Sequence, residues 1–113
     1  MKIENENYVL EYDEENHRVQ ISGSLRLNGL GEYSPISNVL TQCLEKSNTM
    51  ELVLSQLEFL NSSGIAMLSK FVIEARGKEG LNLSIIGSNQ IPWQGKSLKN
   101  LQRLFPALEI SIT

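Results

Sequence analysis

Cysteine is almost missing from this chain. Cys43 is the one thiol in 113 residues, so no disulfide can close within it. A lone thiol suits a reducing compartment. Histidine is as scarce, and one cysteine with one histidine, His17, cannot make a closed zinc site. No metal and no cofactor is expected. No apolar run approaches the roughly 20 residues of a membrane span, so membrane insertion is not expected. Basic residues carry no surplus: 10 against 13 acidic ones leave a net charge of −3. That balance argues against direct nucleic-acid binding, which calls for a basic face. The opening "MKIENENYVL" lacks the apolar core of a signal peptide and is acidic early. The expected location is cytoplasmic. Low-complexity tracts, long linkers and internal repeats are absent.

Chemical signatures are missing as well. No Walker A sequence is present, and no Gly-x-Gly-x-x-Gly follows a strand. Gly29 and Gly31 in "NGLGEY" have the wrong context and read as a loop. The Gly-x-Ser-x-Gly elbow of serine hydrolases is absent. His17 falls in a turn and reads as a solvated turn residue rather than a catalytic base. Asp13, Glu14 and Glu15 form a charge run of the sort that covers a solvated face. No catalytic residue is assigned.

What is present suits one globular domain spanning 1–113. Hydrophobic residues make up 41% and charged residues 20%, and a chain of this length can bury a real core. Tyr8 to Tyr12 and Arg18 to Leu27 alternate with a period of two, which predicts two strands joined by the polar turn "DEENH". In the second run Val19, Ile21, Gly23, Leu25 and Leu27 share one face. Ser34-Pro35 has the look of a helix start, followed by an apolar stripe of Ile36, Val39, Leu40, Cys43 and Leu44. Cys43 on that stripe reads as core. Met50 to Leu60 is apolar on both parities at its start, which predicts a central strand buried on both faces. Ile65, Leu68, Phe71, Val72 and Ala75 mark a second helix ending near Gly77 or Gly80. Leu81 to Gly87 is a further strand, and "SNQIPWQG" reads as a loop. Leu98, Leu101, Leu104 and Phe105 mark a third helix that Pro106 ends. "LEISIT" is a short last strand. Alternating strands and helices predict an α/β fold: a mixed sheet with an N-terminal β-hairpin, covered by about three helices.

The polar tetrapeptide Asn61-Ser62-Ser63-Gly64 interrupts two apolar elements. Its residues are all favoured in caps and turns. They also stand where a helix start follows a parallel strand, a place where α/β sheets carry functional loops. A helix N-terminus offers unpaired N–H groups and partial positive charge to an anion.

Three stretches carry a family resemblance. "VQISGSLRL" (Val19 to Leu27) resembles the first core strand of STAS domains, with their Ser-Gly-x-Leu pattern. "LVLSQLEFLNSSGIAML" (Leu52 to Leu68) resembles their central strand, loop and helix, where Asp-Ser-Ser-Gly or Asp-Ser-Thr-Gly is usual. "LNLSIIGSN" (Leu81 to Asn89) resembles the strand that follows. The likeness runs from Arg18 to the end. STAS domains include bacterial anti-sigma factor antagonists and cytoplasmic domains of sulfate transporters. The resemblance implies a non-catalytic binding module of a partner-switching pathway. It implies Ser62 as the phosphoacceptor and a partner-binding loop of Asn61, Ser62, Ser63, Gly64 and Ile65. The implied partners are a serine kinase of anti-sigma type and a serine phosphatase. Two departures stand out: Asn61 replaces the usual acidic residue, and a final helix is missing or very short. A constitutive scaffold, or a module for a small ligand or nucleotide that is not phosphorylated, is the alternative.

Two further features remain. Trp93, in "IPWQGKS", is a possible contact anchor, since tryptophan is enriched in interface hot spots. It could equally fold back over the sheet edge. Lys96, Lys99 and Arg103 give the third helix a modest basic face.

Overall fold

A computed structural model describes residues 1–113. Six strands form a single sheet in chain order. They are β1 (Lys2–Glu4), β2 (Tyr8–Asp13), β3 (Arg18–Leu25), β4 (Thr49–Leu60), β5 (Asn82–Gly87) and β6 (Glu109–Ile112). Three helices connect the later strands: α1 (Gly29–Lys46), α2 (Ser62–Arg76) and α3 (Gln94–Leu104). β1, β2 and β3 pair antiparallel, and β3 through β6 pair parallel. β1 is an addition to the sequence-based expectation. Three mostly polar residues give no alternating signal, and pairing with β2 alone makes them a strand.

Each parallel crossover moves one strand along in the same direction. Right-handed crossovers therefore put all three helices on one face of the sheet. Side-chain burial follows the register. Tyr12, Val19, Leu52 and Ile85 form one continuous row and are buried. The neighbouring row of Glu11, Gln20, Val53, Ile86 and Ser111 turns to the other face and stays half-buried or exposed.

This corrects the expectation for β4. Met50, Leu52, Leu54, Leu57 and Leu60 are buried, while Glu51, Val53 and Ser55 are only half-buried. The strand is covered on one face. Its apolar residues on the wrong parity, such as Val53, lie on the open side, where β-branched side chains still favour strand.

Helix α1 also starts earlier than the Ser34-Pro35 signature suggests. Asn28 precedes its first turn, and its N–H donates to Glu32 Oε1 at 3.1 Å. Gly29 turns the chain into the helix at φ +69°. Pro35 therefore sits inside the helix. The carbonyl its ring would crowd is that of Gly31, a residue without a side chain. Ser34 does not cap; its hydroxyl donates to the Leu30 carbonyl at 3.3 Å.

Candidate functional site

The C-terminal ends of β3 and β4 and the first turns of α1 and α2 meet at one rim of the sheet. β4 ends at Leu60, and Asn61 leaves it with extended backbone (φ −81°, ψ 177°) as the N-cap of α2. Its side chain holds three segments together. Oδ1 accepts from the Gly64 N–H at 3.0 Å and from the Tyr33 hydroxyl at 2.7 Å. Nδ2 donates to the Leu27 carbonyl at 2.8 Å. The first bond is an ordinary helix cap. The other two tie α1 and the β3–α1 loop to it.

The Leu27 bond bears on the departure from the family pattern. A carboxylate has no donor. An aspartate at this position would set two acceptors face to face and lose the tie to Leu27. Asn61 thus does structural work that the usual acidic residue cannot do here.

The two serines differ. Ser63 Oγ accepts from the Gly29 N–H at 3.2 Å, so it joins the start of α2 to the start of α1. Ser62, the first residue of α2, is exposed, and its hydroxyl has no hydrogen-bond partner in the protein. The first turn of α2 holds no acidic residue, whereas that of α1 holds Glu32. The positive end of α2 is therefore left without a carboxylate of its own.

Gly64 is buried, although its type also suits an open turn. A Cβ there would overlap the Leu60 side chain and stand 2.7 Å from the Tyr33 hydroxyl. Glycine is needed because α2 sits tightly on β4 and α1. Ile65 is half-buried against the core, and its N–H bonds to the Asn61 carbonyl at 3.0 Å.

Two flanking elements carry exposed apolar side chains, Leu30 in the first turn of α1 and Phe59 on the open face of β4. Leu30 is 48% exposed and Phe59 is 39% exposed, two of the few large apolar side chains so presented. The Arg26 guanidinium lies 4.4 Å from the centre of the Phe59 ring, a cation–π contact. Sequence reading missed Arg26, Leu27, Leu30, Tyr33 and Phe59. Tyr33 carried a usable signal, because it continues the apolar stripe one turn before Ile36.

Trp93 lies apart from this loop and shares no hydrogen bond with it. β5 pairs with β4 only from Thr49 to Val53. Beyond that point side chains take over. The Trp93 indole N–H donates to the Leu57 carbonyl at 3.1 Å. Gln94, fully buried, donates to the carbonyls of Leu54 at 2.6 Å and Leu57 at 3.0 Å. Its Oε1 accepts from the Ser88 N–H at 2.7 Å. Gln94 begins α3, although the sequence predicts a loop running through Gly95.

His17 stands at the other end of β3. It is half-buried rather than solvated, with φ +53° and a buried Nδ1 that has no partner. The eight residue steps from His17 to Leu25 span roughly 25 Å of strand. No Ser62–His17 pair can form. Cys43 is fully buried, as expected, and burial pushes its thiol pKa up. No helix is long and apolar enough to cross a membrane.

Comparison with solved structures fixes the fold. SiaC of Pseudomonas aeruginosa superposes with a TM-score of 0.76 at 14% identity, over 100% of this chain and 96% of that one. A chain from the complex of the diguanylate cyclase SiaD with its activator SiaC, from the same organism, matches at 0.74 and 14% identity, over 99% and 97%. An anti-sigma factor antagonist from Mycobacterium paratuberculosis matches at 0.61 and 15% identity, over 96% and 82%. This is a STAS-like fold. The STAS-like domain matches no family model and no curated relative by sequence. Its mixed sheet of six strands with three helices agrees with the architecture expected from the sequence.

Proposed function

We propose that this STAS-like domain is a non-catalytic regulatory binding module, in the manner of anti-sigma factor antagonists, switched by reversible phosphorylation of Ser62. The observation behind this reading is the contrast within the loop. Asn61 and Ser63 are held by hydrogen bonds, and Ser62 alone presents a free, exposed hydroxyl at a helix start. A phosphoryl group there brings nearly two negative charges and new acceptor oxygens. The positive end of α2, free of acidic residues in its first turn, favours that charge without a change of fold.

The partner face is the rim itself: Asn61 to Ile65 with Leu30, which follows the Gly29 bonded to Ser63. An unmodified rim offers apolar contact. A phosphorylated one must be desolvated on binding, which weakens an apolar partner and repels an acidic one. A serine kinase of anti-sigma type and a serine phosphatase are the partners that such a cycle needs. SiaC is named as the activator of a diguanylate cyclase, so a signalling enzyme is a second kind of regulated partner. The working location is the cytoplasm.

The test is a phosphosite map of the protein from its native cells, with capture of partners by Ser62→Ala and Ser62→Asp. Phosphate on Ser62 whose occupancy changes with growth condition is expected, and Ser62→Asp should lose a partner that Ser62→Ala keeps. An unmodified Ser62 in every condition, with identical partners for both variants, would leave the constitutive scaffold or ligand module instead.

A further inference from the structure

The rim around Ser62 is not the only unpartnered surface. β6 is an edge strand, paired on one side only. The Thr113 N–H bonds to the Gly87 carbonyl. Alternate residues of a strand turn their backbone groups to the same side. The N–H and C=O groups of Ile110 and Ile112 therefore point away from the sheet, open to another strand. Their side chains face the helix layer, since Ile110 stands opposite the buried Ile85.

Beside this edge runs a groove. A cavity of about 480 Å³ lies between α3 and β6, with Ile91, Ile110 and Ile112 among its walls and Lys99 and Gln102 on its helix side. A second hollow shares Lys99 and Gln102 and continues to Arg103 and Pro106. The groove is apolar at the Ile112 end and basic at the Arg103 end.

The charge there is unanswered. α3 carries Lys96, Lys99 and Arg103 and no acidic residue. Spaced by three and four, the three cations share one face. The ion pairs of the molecule use Lys2, Arg18 and Lys46, none of them on α3. Glu109 lies close in sequence, but its carboxylate accepts from Ser84 on the opposite face of the sheet. In a chain of net charge −3, an unpaired basic helix face beside a free strand edge is a local reversal of sign.

We infer that this groove binds an extended acidic segment of a partner protein, which adds to β6 as a seventh strand. Main-chain bonds to Ile110 and Ile112 supply affinity, and alternate side chains enter the groove. Running antiparallel to β6, the segment places apolar side chains over Ile112 and Ile91, then carboxylates against Lys99 and Arg103. A lipid headgroup or nucleic-acid backbone could meet the cations, but neither uses the open backbone or the apolar end. The inference is independent of Ser62, whose loop lies at α2.

The probe is the capped peptide Ile-Thr-Val-Thr-Glu-Thr-Asp, which puts two apolar and two acidic side chains on one face. It is titrated into the isotope-labelled full chain at low salt and followed by backbone amide NMR. Shifts at Lys99, Ile110 and Ile112 are expected, with slowed exchange of the Ile110 and Ile112 amides. Lys99→Glu with Arg103→Glu, both exposed, should weaken binding about tenfold. Ile112→Pro removes an outward donor while leaving the ladder to β5, and it should weaken binding by about as much. If the proline variant loses its native spectrum, the charge-reversed pair decides. The inference is overturned if Lys70→Glu, outside the groove, weakens binding equally. Shifts confined to other elements also overturn it. So do stronger effects from phosphatidylserine vesicles, or shifts at β6 that follow chain concentration without peptide, the mark of a second copy.

Discussion

At the scale of single residues, Asn61 has the most demanding position. Its amide gives one bond and accepts two, each to a different segment. Asn61→Asp keeps the cap to Gly64 but sets a carboxylate against the Leu27 carbonyl. We expect a loss of about 1–3 kcal/mol, the range for a buried polar group left without its partner, read from urea unfolding. If Asn61→Asp is as stable as the parent, the Leu27 bond carries no weight. Tyr12 presents the opposite case. It is 4% exposed, and its hydroxyl has no hydrogen-bond partner. Burial, helped by the neighbouring Cys43, raises its pKa from 10.0 to about 12. The unfolded chain gives up this proton at lower pH than the folded one does. Stability is therefore intact below pH 10 and falls as pH rises toward 12. Tyr12→Phe should reduce that alkaline fall while leaving stability at neutral pH unchanged or higher. Chemical unfolding at several alkaline pH values checks both parts.

At the scale of elements, the packing of α2 on β4 depends on Gly64. Gly64→Ala forces a methyl against Leu60 and Tyr33, at an expected cost of about 1–3 kcal/mol, read from the urea midpoint. Pairing it with Leu60→Ala, which opens the same space, should recover part of the loss attributable to the clash. Gln94 fills the comparable role for β4 beyond the reach of β5. Gln94→Leu leaves the Leu54 carbonyl without this partner in a buried place and the Ser88 N–H without it in a half-buried one. A loss of about 2–4 kcal/mol is expected from two orphaned groups, again by urea unfolding, and a variant as stable as the parent would contradict this account. These elements also show what could be read from the chain alone. The periodicities of β3, α2 and the later half of α3 were plain, because each buries one face and the sequence alternates to match. The loop Asn61 to Gly64 stood out as a candidate because polar caps broke two apolar runs. The start of α1 was not legible, since Ser34-Pro35 imitates a helix start that the structure places at Gly29. Gln94 was illegible for another reason. A glutamine in a polar stretch reveals nothing of its partners, which lie 37 and 40 residues earlier in the chain. Arg26 and Phe59 escaped notice because their contact across β3 and β4 is a property of the folded sheet.

At the scale of the whole molecule, a helix layer covers one face of the sheet and leaves the other open. The central pair β3 and β4 is flanked on both sides, while β1 hangs on the edge by three residues. Amide hydrogen exchange should therefore be slowest in β3 and β4 and fastest in β1, with the fastest class reporting local opening. Uniform protection across all six strands would contradict that ranking. The strand order carries one more consequence. Because the strands lie in the order in which they occur in the chain, each finds its neighbour already made when it leaves the ribosome. Every loop to be closed is either a short turn or a single helix with its turns, which keeps the entropic cost of each step small. Synthesis can thus lay the sheet down one strand at a time, without waiting for a distant segment to complete a pairing.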